Sequence, residues 1–179
     1  MKPGTEDLRL LSRTALLCAV LCVLSVLSIP IGVVPVTLGM LGVFLCGMLL
    51  PPKNACLAVL GYLLLGAVGL PVFSSMQGGI GILLGLTGGY LWGYLPAVCV
   101  LSAVHALLSR RPKRTLLSAV CAGCAALAVC YLCGTAQFVL LTGGTWQSAA
   151  AVCVAPFLPF DLLKLAAAVM LSHRFRRHL

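Results

Sequence analysis

Asp161 and Lys164 are the pair in this 179-residue chain whose types and spacing could do chemistry. Asp161 is the one carboxylate after position 7, and Lys164 is the one basic residue away from the expected inner face. Three residues apart on a predicted helix, they share a face. An ionised Asp accepts hydrogen bonds and holds N–H donors, whereas Lys donates to carbonyls or carboxylates. One of each suits a small ligand with urea-like or amide groups. Pro159 fits the first turn of that helix, where the helix dipole favours an ionised carboxylate. The alternative is structural, a mutually neutralising pair that fixes helix packing.

A second polar concentration runs Ser74-Ser75-Met76-Gln77-Gly78-Gly79 and then Gly85-Leu86-Thr87-Gly88-Gly89-Tyr90. It supplies Gln77, Gly78, Gly79, Thr87, Gly88 and Tyr90 as substrate-binding candidates, with Gln77 and Thr87 the side chains best suited to ligand contact. Glycines at 81, 85, 89 and 93 recur every four residues, a small-residue stripe of the kind that lets membrane helices pack closely. No Gly-Lys-Ser/Thr follows the glycines, so the segment is not a phosphate-binding P-loop. The ten cysteines include Cys121-x-x-Cys124 and Cys130-x-x-Cys133. Inside one helix Cys130 lies about 180° around the axis from Cys121, so four thiolates cannot converge on a metal. Small apolar filler is the better reading, and no metal is expected. His105, His173 and His178 are read as lying toward the inner face without partners, which supports no catalytic triad.

These residues are embedded in a chain that is 61% hydrophobic and 8% charged, with twelve Lys+Arg against three Asp+Glu. Ordinary soluble domains carry about 25% charged residues, so a soluble enzyme is excluded, as is a disordered chain. The net charge of +9 sits at chain ends and in short gaps, which fits an anionic membrane surface rather than nucleic acid. Residues 14–52, 54–109 and 115–160 form uncharged runs of 39, 56 and 46 positions. A spanning helix needs about 20 apolar residues. Each run is therefore read as a hairpin of two spans.

The expected fold is all-α, a polytopic bundle of six transmembrane helices forming one integral membrane domain over 1–179. The spans fall near 12–29, 36–50, 54–70, 86–108, 115–141 and 158–174. With both termini cytoplasmic, eleven of the twelve basic residues lie inside and the outer loops near 30–35, 71–85 and 142–157 hold none. That is the positive-inside pattern. The stretch Ala15–Ile29 is followed by no convincing small-x-small site, so it is expected to remain in the protein rather than to be cleaved as a signal peptide.

The segment order resembles the BioY family, the biotin-binding substrate component of energy-coupling-factor (ECF) transporters. The resemblance covers about 12–172 and rests on four stretches: 29–38 (IPIGVVPVTL), 61–73 (GYLLLGAVGLPVF), 85–91 (GLTGGYL) and 156–164 (PFLPFDLLK). It implies a biotin pocket at the outer face lined by Asp161 and Lys164. It also implies cytoplasmic-side partnership with a transmembrane coupling subunit and two ATPase subunits in the bacterial cell membrane. Ala15 and Ala19 match the family's Ala-x-x-x-Ala stripe, through which a partner helix approaches. The implied function is biotin uptake by a binding subunit that is not an enzyme and uses no cofactor, with biotin as transported ligand. The alternative within transport is a substrate component for another small vitamin or related metabolite. A membrane enzyme would need a nucleophile and base at one depth, and no acid is predicted near His105.

Overall fold

Each of the six apolar segments is helical in the computed structural model, which describes residues 4–29, 35–108 and 115–175. The helices are α1 (Thr5–Val26), α2 (Gly39–Leu49), α3 (Pro52–Ala67), α5 (Gly88–Leu108), α6 (Thr115–Thr142) and α8 (Leu158–Phe175). Two shorter helices that hydropathy did not resolve are inserted between them, α4 (Ile80–Leu84) and α7 (Trp146–Cys153). A two-residue antiparallel ribbon, β1 (Ser28–Ile29) with β2 (Val36–Thr37), closes the gap between α1 and α2. Pro30–Val34, the basic gap Arg110–Arg114, Lys2, Arg176, Arg177 and His178, on which much of the orientation argument rests, lie outside the described residues.

Local chemistry sets the helix ends. Glu6 and Asp7 occupy the first turn of α1, where the dipole favours acids, and the Gly4 N–H donates to Asp7 Oδ2 at 3.3 Å. Pro52 opens α3 at a position where its missing N–H costs nothing. Thr145 caps α7 by accepting the Ser148 N–H.

Three helices, Thr5–Val26, Gly88–Leu108 and Leu116–Thr142, are long and apolar enough to cross a membrane, and α7 with α8, bent by 55°, makes a fourth if the two are counted as one broken span. The chain is thus a membrane protein, largely helical. α2 and α3 are apolar but shorter. α2 is buried on almost every side, from Gly39 through Met48, and packs against α1, α3, α5 and α8. A helix that is apolar all round belongs in an interior, and α2 forms the axis of the bundle.

Small residues permit that close packing. A Cβ at Gly42 would lie 2.7 Å from Leu21 Cδ1, and one at Gly89 would lie 2.7 Å from the Cys133 carbonyl oxygen. Gly93 likewise abuts the Cys130 backbone. The glycine stripe therefore divides: Gly89 and Gly93 seat α5 on α6, whereas Gly81 faces open space. Cys121 and Cys124 are exposed while Cys130 is buried with its Sγ 3.6 Å from the Tyr90 carbonyl, which separates the paired cysteines as helical geometry requires. His105, read above as unpartnered, instead has Ser118 Oγ 3.3 Å from its Nδ1. A tight interhelical contact between α5 and α6 creates that pairing, and spacing along the chain could not reveal it.

At Gly66 a Cβ would overlap the ring of buried Phe73. Gly66→Ala is expected to destabilise the protein by about 1–3 kcal/mol, the usual cost of overpacking, whereas Gly81→Ala should be neutral. Thermal unfolding of the two detergent-purified variants tests this, and equal midpoints would show that Phe73 is not held there.

Candidate functional site

The cavity of about 340 Å³ lies at one end of the bundle, where α1 ends and where α2, α5 and α8 begin. Its wall is built from short contributions of many elements. Ser25 closes α1, Thr37 and Met40 flank the start of α2, and Tyr62 comes from α3. Tyr90 and Tyr94 come from α5, Leu127, Cys130 and Tyr131 from α6, and Asp161 and Lys164 from α8. The connection between α3 and α5 covers it with Phe73, Ser74, Ser75, Gln77, Ile82 and Thr87.

Asp161 and Lys164 face this cavity together. Both are buried, at 7% and 8% exposure, and Lys164 Nζ donates to Asp161 Oδ1 at 2.6 Å. The Tyr131 hydroxyl donates to the other carboxylate oxygen. The charge is thus met from two helices, as a buried carboxylate requires. Lys164 has three N–H donors and Asp161 retains acceptor capacity, so the pair can still engage a ligand offering both N–H and C=O groups.

The covering segment is held from beneath. Phe73 is fully buried, packed edge-on against Tyr62 with ring centroids 5.5 Å apart. Phe73 N–H donates to the Gln77 carbonyl at 2.9 Å, and Gly79 N–H donates to the Gly66 carbonyl at 2.7 Å. Ser75 and Met76 adopt φ of 56° and 58°, an uncommon region for residues with a Cβ. Ser75 is tied to the α1–α2 connection by its N–H to Ser28 Oγ at 3.1 Å. Below, Gln137 of α6 donates to the carbonyls of Leu83 at 3.1 Å and Gly85 at 2.7 Å, pinning the broken stretch before α5.

Of the residues picked from sequence, Asp161, Lys164, Gln77, Thr87 and Tyr90 line the cavity. Gly78, Gly79 and Gly88 are not in its wall: a Cβ at Gly78 would lie 2.8 Å from the Gly69 carbonyl oxygen, Gly79 takes φ +100°, and Gly88 packs on Leu83 and Gln137. They shape the covering backbone. Sequence reasoning passed over Ser25, Thr37, Tyr62, Tyr94 and Tyr131. Each sits singly in an apolar run, and the available signal was only that a hydroxyl in a spanning segment needs a partner. Ala15 and Ala19 are exposed on α1, away from the cavity.

A bundle of apolar helices that encloses a largely apolar cavity with a few convergent polar groups at one end defines a class: an integral membrane protein built to hold a small ligand. The family model described as BioY family matches residues 2–179, and this chain belongs to that family. It is 37% identical to the biotin transporter BioY of Thermotoga maritima over 95% of this chain and 97% of that protein. It is 37% identical to the biotin transporter BioY of Rhodobacter capsulatus over 77% of each. A crystal structure of the S-component for biotin from an ECF-type ABC transporter superposes with a TM-score of 0.91, covering 99% of this chain and 95% of that one at 23% identity. The two share a fold.

Proposed function

We propose that this protein takes up biotin across the cytoplasmic membrane as the high-affinity substrate-binding subunit of an ECF-type transporter. The observation that carries the reading is the buried Asp161–Lys164 pair in the wall of a cavity of about 340 Å³, joined to membership of the BioY family. Pockets for small molecules run from roughly 300 to 1,000 Å³, and a cavity at the lower limit suits a vitamin-sized ligand. Asp161 accepts from the ureido N–H groups and Lys164 donates to the ureido carbonyl. Tyr131 keeps the carboxylate aligned, and Gln77, Thr87 and Tyr90 complete the contact from the cover and from α5. No bond is made or broken. Biotin is cargo, and the reading requires no cofactor or metal.

In this reading α1, α2, α3, α5, α6 and α8 are six spans of one integral domain, with both termini cytoplasmic and the cavity facing outward. α2, at 11 residues, is about 16 Å long from its rise of 1.5 Å per residue, shorter than the hydrocarbon core of about 30 Å. Its burial among four helices makes the mismatch tolerable, because neighbouring protein rather than lipid meets its ends. Cysteine labelling from either side of the membrane checks the orientation. A single cysteine at Gln77 should react from outside and one at Arg111 from inside; reversal at either site breaks the model.

In this reading a coupling subunit and two ATPase subunits supply the energy, since the sequence carries no P-loop of its own; without them transport would be passive. Ala15 and Ala19 lie exposed one turn apart on α1, where a partner helix could approach closely. Ala15→Trp and Ala19→Trp are expected to abolish uptake while the purified variants bind biotin normally. Binding lost in step with uptake would assign the stripe to internal packing.

Asp161→Asn and Lys164→Met should each weaken biotin binding, measured by calorimetry on purified protein. The loss of a hydrogen bond to a charged group costs about 1.5–3 kcal/mol, roughly 10- to 150-fold in affinity. A pair that serves packing alone behaves differently: each single change strands a buried charge and destabilises the fold, and the double variant recovers both stability and binding. A stable double variant that binds biotin normally overturns the assignment.

A further inference from the structure

The cavity holds a second polar group that the Asp161–Lys164 pair does not use. At the start of α2, Ser25 Oγ and the Tyr94 hydroxyl converge on one point, each 2.7 Å from where a Gly39 Cβ would stand, with Thr37 Oγ1 3.3 Å from it. Glycine leaves that space open. Tyr62 stacks on Tyr94 with ring centroids 6.3 Å apart. Ser25 and Tyr62 are 1% and 0% exposed, and among the described residues neither hydroxyl has a hydrogen-bond partner of ordinary geometry, although the two lie near enough to face each other. Thr37 Oγ1 accepts the Gly39 N–H at 3.2 Å, and its hydroxyl proton is left to donate.

Unpartnered hydroxyls this deeply buried cost stability unless a ligand meets them. Hydroxyl donors gathered at the N-terminus of an 11-residue helix favour negative charge, because the helix dipole adds to them. The cluster contains no carboxylate, whereas at the other polar group Lys164 is already neutralised by Asp161, whose charge would repel a second carboxylate. We infer that Ser25, Thr37, Tyr62 and Tyr94, around the gap at Gly39, hold the carboxylate of the ligand's acid tail. The ion pair on α8 is thereby left to the neutral ring. This inference rests on the reading of the cavity as a biotin site and names the residues that recognise the charged end of the same molecule.

Biotinamide tests it, since it retains the ring and the tail length but not the charge. Charge-assisted hydrogen bonds are about twice as strong as neutral ones, so the native protein should prefer biotin. Ser25→Ala and Tyr62→Phe, the latter keeping the stacked ring, should each lower biotin affinity by roughly 10-fold, the value of one hydrogen bond to a charged group. Biotinamide affinity should change much less, so the preference collapses. Gly39→Ala, which fills the gap, should act in the same direction. Thermal unfolding without ligand confirms that each variant is folded. Equal losses for both ligands would mean that the cluster reads the ring, and unchanged biotin affinity would mean that it reads nothing; either overturns the inference. A native protein that binds biotin and biotinamide equally leaves the tail in solvent, which also overturns it while the biotin site stands. A native protein that binds neither removes the biotin reading itself.

Discussion

Two opposite charges inside an apolar bundle set the terms for everything around them. On insertion scales each would cost about 2.5–3.5 kcal/mol alone at the membrane centre. Asp161 and Lys164 meet that cost by pairing at 2.6 Å on one face of α8, and Tyr131 of α6 adds a donor to the second carboxylate oxygen. The arrangement requires α6 and α8 to be neighbours at this depth. It also leaves a polar wall on one side of a space that the remaining helices enclose with aromatic rings and hydroxyls.

Close approach of backbones makes the enclosure possible. Where lipid is as apolar as the side chains, association relies on packing, and small residues allow it. Gly42 admits Leu21 of α1, Gly89 and Gly93 admit the backbone of α6, and Gly66 admits Phe73 from the covering segment. α2 is short and surrounded, and its start places its positive end beside the cavity. The cover itself is irregular backbone. Such backbone is tolerated near a membrane where protein satisfies its polar groups, as Gln137 does for Leu83 and Gly85.

Much of this was legible in the chain. The uncharged runs located six helices to within a few residues at most ends, the exception being α1, which begins at Thr5 rather than near 12. Glu6 and Asp7, whose charges count against a span in a hydropathy reading, sit favourably in its first turn. The short insertions α4 and α7 were missed because five to eight residues fall beneath any hydropathy window. Asp161 and Lys164 stood out because a charge in an apolar run is costly wherever it sits. Gln77, Thr87 and Tyr90 stood out as polar residues in a glycine-rich connection.

Sequence by itself determined that the protein belongs in a membrane, where its helices run, and which two charges must be reconciled inside, since hydrophobic burial and charge desolvation depend on residue type. Only the tertiary structure decided that Ser25, Thr37, Tyr62 and Tyr94 meet at the start of α2, that Tyr131 serves Asp161, and that Gly78, Gly79 and Gly88 shape backbone rather than line the cavity. A lone hydroxyl or glycine carries no excess energy along the chain. Its role appears when helices far apart in sequence bring its partners within hydrogen-bonding or van der Waals reach.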